Sequence, residues 1–598
     1  MKVVLGTLNS KFIHSSLALA YLEAACGGRG WELEVMEFTI NESMDDIMAS
    51  LYLSRPDVLC FSAYIWNIEN ILWLCRDLKK VSPNCIIILG GPEVSYDAGQ
   101  VLLHNPAVDY IVRGEGEITL PELLEHILRQ ESAAEVKGIS YRRHDQLHEN
   151  PSRELIANLD SLASPFKKDF TGYQDRIIYY ESSRGCPFNC SYCLSSSIKG
   201  VRYFPLARVK EELGHLLSYR LRELKFVDRT FNSDEARARE IMSFIIGQKP
   251  ETKVHLEICA EIISPEFMDF LSQVPPGLFN FEIGIQSTCP QALQAVRRYH
   301  NWERLRQNIL QLQSFNNIHL HLDLIAGLPL ESYDRFQQSF NDVYRLQPDM
   351  LQLGFLKLLK GSDIYRDRHR YQYRFQSRAP YQVLSHGQIT YDEIISLDQI
   401  EEVLNRYYNH AIVPNTLDYV INRIYQGNAF MFFRDLAQFW SDNNLFGLGH
   451  RREREYDIML EFLNHKHPHH GLKCNELIKY DFLICNLPHR FPAAVKRINP
   501  SDSRERLNTC LRSDTLLEQL PELIRGSRRE ITRHLHLEYF VLDPFNLNQG
   551  KRCLPLLFVY HPIAKKAIKI LKLAETGLQL QNAASDENQG SWDKKKTD

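Results

Sequence analysis

Twice along this chain, short apolar runs alternate with amphipathic segments of helix length, and that alternation restricts the fold more tightly than any other feature. The first series fills residues 1–135, where KVVLGTL, LEVMEF, VLCFSAY, NCIIILGG and DYIVRGE read as strands between segments such as SLALAYLEAAC and IENILWLCRDLKKV. A βαβ series of this kind predicts an α/β domain with an open, Rossmann-like parallel sheet, helices on both faces and ligands beyond the C-terminal strand ends. The second series begins at 177 with IIYYES, ELKFVD, KVHLEI, FNFEIGIQS, IHLHLDLIAGLP and MLQLGFLKLL. Six strands separated by helix-length sequence predict a partial TIM-like (β/α)6 barrel over 171–385, with its chemistry in the loops that follow the strands. Residues 136–170 lie between the two series and read as a hairpin with an extended linker, rich in polar turn residues. From 386 to 576 longer helical segments such as YDEIISLDQIEEVLNRYYNHA predict a mainly helical domain. Residues 577–598 are polar and aperiodic and read as a disordered tail.

At 598 residues the chain is too long for one hydrophobic core. Its 44% apolar content, with 30 Phe and 28 Tyr, excludes a disordered protein. The formal charge of −4 gives no general attraction to nucleic acid. No stretch approaches the roughly 18 uninterrupted apolar residues of a membrane span, and Met1 leads straight into a strand without an export signal, so a cytoplasmic protein is expected. In that reducing compartment the 13 cysteines read as free thiols, core residues or metal ligands rather than as a disulfide framework.

Three of those cysteines gather in the first loop of the second series. ESSRGCPFNCSYCLSS, residues 181–196, sets Cys186, Cys190 and Cys193 in the spacing CxxxCxxC. Tetrahedral zinc and most iron–sulfur clusters take a fourth protein ligand, and the sequence offers none nearby. A cubane of four irons on three thiolates leaves one iron open to nitrogen and oxygen donors. This motif, with the aromatic Tyr192 just before its last cysteine, resembles the signature of the radical SAM superfamily, and the resemblance covers roughly residues 171–385. It implies a 4Fe-4S cluster on the three cysteines, S-adenosyl-L-methionine chelated at the open iron, and reductive cleavage to a 5′-deoxyadenosyl radical. The plainer alternative is a structural metal knuckle.

Further positions are similar to the cofactor contacts of that family. DLIAGLPLE, residues 323–331, fits its GxIxGxxE element at Ile325, Gly327 and Glu331, with Asp323 in place of the first glycine. Glu257 in HLEICAEI and Glu282 or Gln286 in FEIGIQS are candidates for the ribose hydroxyls or the methionine amino group. Asp228-Arg229 after ELKFV reads either as a polar cofactor contact or as a salt-bridged turn.

On the N-terminal sheet, Ser62, Gly90-Gly91 and Gly114-Glu115-Gly116 end three strands and would share one rim, leaving a slot for a flat or elongated ligand. This rim resembles a cobalamin-binding domain. The DxHxxG element of that family is absent after the first strand, where Thr7-Leu-Asn-Ser-Lys-Phe-Ile-His14 stands instead, so a lower axial ligand is not identified and His14 reads as a cap or core contact. Residues 386–575 resemble an uncharacterised helical extension found on some cobalamin-dependent radical SAM proteins.

Arg366, Arg368, Arg370, Arg374 and Arg378, interleaved with tyrosines, read as a solvated hairpin over the barrel mouth rather than as an RNA grip. Lys357 and Lys360 lie on the sixth strand and are expected to face away from the site. The cluster His465, His467, His469 and His470 reads as a polar loop. Together these features predict a cobalamin-dependent radical SAM enzyme that methylates an unactivated carbon. Its substrate would be a small molecule, RNA or protein, and its electron donor a flavodoxin or ferredoxin. A radical rearrangement, cyclisation or oxidation, or a sensor without turnover, are the alternatives.

Overall fold

Strands buried on both faces need helices on both faces, and the apolar runs of the N-terminal series meet that requirement. The computed structural model describes residues 1–143, 146–198, 200–512, 514–524, 526–550, 553–573 and 580–582. In it β1 (Lys2–Asn9), β2 (Glu32–Thr39), β3 (Val58–Ser62), β4 (Ile86–Gly90) and β5 (Tyr110–Val112) pair in parallel. The hairpin strands β6 (Ile139–Arg143) and β7 (Gln146–Glu149) add antiparallel to β5, giving the order β2-β1-β3-β4-β5-β6-β7. The order reverses at β1, which makes its C-terminal end the switch point of the sheet. Val4, Leu59 and Leu89 pack on one face with Ile71, Leu74 and Leu78 of the helix Ile68–Val81. Val3, Leu5, Cys60 and Ile88 pack on the other with Leu120, Leu123 and Leu124.

The second series begins at β8 (Ile177–Tyr180), followed by a two-stranded ladder of β9 (Ser183–Cys186) and β10 (Gly200–Tyr203). Next come β11 (Glu223–Phe226), β12 (Lys253–Glu257), β13 (Phe279–Gln286), β14 (His319–Ala326) and β15 (Met350–Phe355). With β8 they form a six-stranded sheet in the order β15-β14-β13-β12-β11-β8, which does not close on itself. Along β13 residues alternate between buried and half-buried. Phe279, Phe281, Ile283 and Ile285 form core on one face. On the other face Lys225, His255 and Glu282 join across three neighbouring strands. This face is charged: Tyr179, Glu223, Glu257, His321 and Asp323 belong to it as well. The free edge of β8 is taken by the loop after β1, where Ile177 N donates to Ile13 O at 2.7 Å and Ser15 Oγ donates to Ile177 O at 2.9 Å.

Two further short strands, β16 (Arg374–Phe375) and β17 (Val383–Ser385), form an antiparallel pair beyond β15. The chain divides into two compact units, one of Met1–Phe336 with Leu353–Ile394, the other of Gln337–Gln352 with the described residues from Ile395 onward. The second unit contains the apolar helices Ala429–Asp442, Arg452–Lys466 and Gly471–Cys485, as the sequence predicts. It also contains what helical periodicity did not predict, an antiparallel sheet of β18 (Leu535–Phe540), β19 (Leu554–Tyr560), β20 (Ala567–Leu573) and β21 (Leu580–Asn582). β21 falls within the expected tail and pairs with β20; residues 577–579 and 583–598 lie outside the described residues.

Candidate functional site

The three-cysteine loop is held from its first residues. Asp228, buried, accepts hydrogen bonds from Ser182 N at 2.8 Å and from the hydroxyls of Ser182 and Ser183, both at 2.6 Å. It therefore locks the passage from β8 to β9, which fits the turn rather than the cofactor contact. Burial raises its carboxyl and the seryl donors oppose that rise. At Gly185 φ is 101°, and a Cβ would lie 2.1 Å from Gly200 O, so only glycine lets β10 approach β9 this closely. Cys186 then ends β9 half-buried, its sulfur 3.5 Å from the Thr230 hydroxyl. Cys190 is buried and Cys193 half-buried, and a turn from Cys193 N to Cys190 O at 3.1 Å brings them round. Burial raises the Cys186 thiol, and the neighbouring Cys193 and Cys190 add to the rise, as sulfurs sharing one loop must. Among the described residues no three His, Cys, Asp or Glu side chains gather closely enough for a single metal ion. Three thiols on one short loop, without a fourth, are the donor types that an iron–sulfur cluster takes.

The other predicted residues divide. Glu257 ends β12 with Arg229 at 3.9 Å, and burial pushes its carboxyl up to about 7. Glu282 stands level with Glu257 in the pairing of β12 with β13, and its carboxylate is taken up by His255 Nε2 at 2.8 Å and Lys225 Nζ at 3.0 Å. Burial works against its charge, yet these two partners hold its carboxyl well below the ordinary range. Gln286 has φ of 70°, at a register shift in the pairing of β13 with β14, and its side chain folds back over Gly284. Ile325 is half-buried on β14. Gly327 O accepts from the Tyr373 hydroxyl at 3.0 Å, with Val383 packed against its α-carbon. Glu331 is buried and accepts from Ser287 Oγ at 2.7 Å, so it braces the end of β13. Asp323 lies 3.0 Å from His321 Nε2. Tyr192 is half-buried between Cys190 and Arg298, and burial raises its hydroxyl.

At the N-terminal rim Gly91 has φ of 104°, and a Cβ there would sit 2.5 Å from Ala63 O, so the ends of β3 and β4 touch through backbone alone. Gly90 and Gly116 lie on the same rim, while Gly114 faces open space. Ser62 is buried, and its carbonyl accepts from Thr7 and Asn67. Beside it Tyr64 and Trp66 stack with centroids 4.4 Å apart and planes 4° apart, Trp66 remaining 44% exposed. Backbone-only contact and an exposed aromatic plate fit a flat macrocycle. Glu115 does not: Arg202 Nη2 at 2.7 Å, Arg184 Nη1 at 3.2 Å and Ile156 N at 2.8 Å occupy its carboxylate. His14 is also accounted for, its Nδ1 lying 2.7 Å from the Tyr179 hydroxyl beside the barrel. A separate cavity of about 370 Å³ opens beyond β1 and β2, lined by Asn9, Phe12, Glu37, Thr39 and Arg176 among others, and contains none of the predicted residues.

Ion pairs join this rim to the cysteine loop. Arg184, two residues before Cys186, pairs with Glu117 at 2.5 Å and Glu181 at 2.7 Å as well as with Glu115. On another side Lys360 pairs with Asp97 at 2.9 Å, and the Tyr381 hydroxyl donates to Glu93, so Lys360 serves the seam between sheet and barrel. Lys357 is exposed. Arg368 and Arg370 lie over their own neighbours Tyr365 and Tyr371, as in a solvated hairpin. His467 and His470 meet the hydroxyls of Tyr425 and Tyr419. No local motif foretold Arg184 or Arg298, since each is defined by a partner distant in sequence.

Comparison with known proteins follows the same division. Residues 3–124 match the B12 binding domain family, residues 180–343 the Radical SAM superfamily, and residues 369–554 a family described as a protein of unknown function, DUF4080. An uncharacterised methyltransferase of Pyrococcus horikoshii is 24% identical over 58% of this chain and 77% of its own length. The cobalamin-dependent radical SAM methyltransferase TokK of Streptomyces tokunonensis is 26% identical over 48% of this chain, and this chain covers 45% of it, less than half. In fold, the chain is similar to the cobalamin-dependent S-adenosylmethionine radical enzyme OxsB with aqua-cobalamin bound, with a TM-score of 0.57 at 14% identity, covering 81% of this chain and 80% of that one. No helix among the described residues is long and apolar enough to cross a membrane. One polypeptide thus joins a region matching the B12 binding domain family, a region matching the Radical SAM superfamily and a C-terminal region matching a family of unknown function.

Proposed function

We propose that this protein methylates an unactivated carbon of a hydrophilic substrate. The observation that carries the reading is the ionic seam through Arg184, which ties a loop of three thiols to the glycine rim of a B12-binding sheet. Cys186, Cys190 and Cys193 would hold the 4Fe-4S cluster. Tyr192, Gln286, Ile325, Gly327 and Glu257 would contact S-adenosylmethionine, with Glu331 bracing the strand behind it. Ser62, Gly90, Gly91, Gly114, Gly116 and the Tyr64–Trp66 stack would receive the corrin, with Glu115 as a strut rather than a ligand. When bound, the cluster supplies the electron that cleaves S-adenosylmethionine, and cobalamin carries the methyl group.

The chain itself binds, orients and shields. The barrel would comprise residues 171–385, and the charged face of its strands carries Lys225, His255, Glu257, Glu282, His321 and Asp323. An apolar lipid lying against these charged groups would strip their remaining water and offer no polar contact in return, which disfavours lipid substrates. The setting is the reducing cytoplasm without oxygen, with a flavodoxin or ferredoxin as donor. In keeping with that setting, the 12 cysteines whose side chains the structure describes are free.

The test is anaerobic incubation of the reconstituted protein with methyl-deuterated S-adenosylmethionine and fractionated cell extract, followed by mass spectrometry. A product heavier by three deuteriums supports methylation. Formation of 5′-deoxyadenosine with no labelled product would assign the protein to radical rearrangement, cyclisation or oxidation instead, and absence of both would leave it a sensor.

A further inference from the structure

The cysteine loop rests on a segment that no motif marks. After the short helix Pro290–Ala295, Val296 O accepts Ser191 N at 2.9 Å. On the other side of Ser191, its carbonyl accepts Ile364 N at 2.9 Å, and Asp363, next to Ile364, is paired with Arg297. Arg298 follows and turns inward. Its Nη1 lies 3.8 Å from Cys190 Sγ, its Nη2 donates to Gly284 O, and its Nε is shut off from water.

Among the described residues no carboxylate pairs with this guanidinium. A guanidinium keeps its charge across the whole working pH range. A buried cation without a counter-charge is costly, and the one group in contact that becomes anionic on binding metal is the thiol of Cys190. Hydrogen bonds and charge at the sulfurs set the potential of an iron–sulfur cluster. A fixed positive charge against a ligating sulfur stabilises the state with one more electron, because reduction adds negative charge beside it.

We infer that Arg298 is the counter-charge of the Cys190 thiolate and raises the reduction potential of the cluster held by this loop. The inference rests on the cluster assignment under "Proposed function". Arg298 touches a ligand rather than a reacting atom, so it is a positioning residue, and the external low-potential donor still supplies the electron.

The experiment uses full-length protein reconstituted anaerobically with iron and sulfide, as wild type, Arg298→Lys, Arg298→Met and Arg298→Gln. Each is titrated with dithionite in the presence of redox mediators while the reduced cluster is followed by electron paramagnetic resonance. The charge-free Met and Gln variants should become harder to reduce by at least tenfold in the one-electron equilibrium, a shift of 59 mV, with iron content retained. Arg298→Lys should stay near wild type. Met and Gln variants that keep both cluster and wild-type potential would overturn the inference. So would an Arg298→Lys variant as hard to reduce as the Met and Gln variants, which would make Arg298 a strut whose charge does not matter. A wild type that takes up no cluster at all would overturn the underlying assignment, and this inference with it.

Discussion

Cys190 is the best-supported of the three thiols: it is buried, its loop is fixed from both sides through Ser191, and a guanidinium approaches its sulfur. Replacing Cys190 by Ala should abolish iron uptake at the barrel while leaving corrin uptake intact, read as iron per chain and as the visible spectrum after incubation with cobalamin. Loss of both would show that the two sites are not separate. The cysteines were legible in the sequence because spacing alone defines a thiol loop. Glu282 was not, because its role depends on His255, 27 residues away, and on Lys225, 57 residues away, which meet it only once three strands are in register. Gln286 shows the same limit, since its left-handed backbone arises from a bulge in pairing that no local pattern encodes.

Among elements, the sheet β18 to β21 is the largest that helical periodicity did not predict, within a C-terminal part that is otherwise helical as expected. LHLEYF, LPLLFVY and AIKILKL are short apolar runs, and runs of that length fit a buried helix turn as well as a strand until cross-strand partners are known. The six barrel strands were easier, because each is followed by a helical segment and the repetition itself is informative. Glu538 in β18 is fully buried, with Arg497 Nη2 at 2.7 Å, Asn499 Nδ2 at 2.9 Å and His536 Nε2 at 2.9 Å around it. Burial alone would raise its carboxyl, yet these donors hold it down to about 2, below the ordinary 4.5. A depressed carboxyl adds stability that is present above 4.5 and lost as pH falls from there through about 2, amounting to about 3 kcal/mol at neutral pH. Urea unfolding at pH 6 and pH 3 should therefore show a smaller loss of stability in Glu538→Gln than in wild type, with the variant the weaker of the two at pH 6.

At the scale of the whole first unit, the N-terminal sheet and the barrel meet along groups that are charged and largely shielded. Arg184 and Glu115 retain side-chain exposures of 12% and 15%. Removing one partner of so buried a pair leaves the other uncompensated, at a cost of about 3 kcal/mol. Arg184→Ala and Glu115→Ala should each lower stability by roughly that amount, and the double variant by less than their sum, a coupling of about 1–3 kcal/mol in denaturant unfolding. Additive losses would mean that the seam is held elsewhere. The outer strand of the barrel, β8, borrows its neighbour from the loop Ile13–Ser15, which comes from the other module. Neither half is therefore a cassette that recombination could exchange intact: a barrel cut free after residue 170 would carry a raw strand edge, and inserting a foreign corrin module would require rebuilding the first βα crossover as well as the linker.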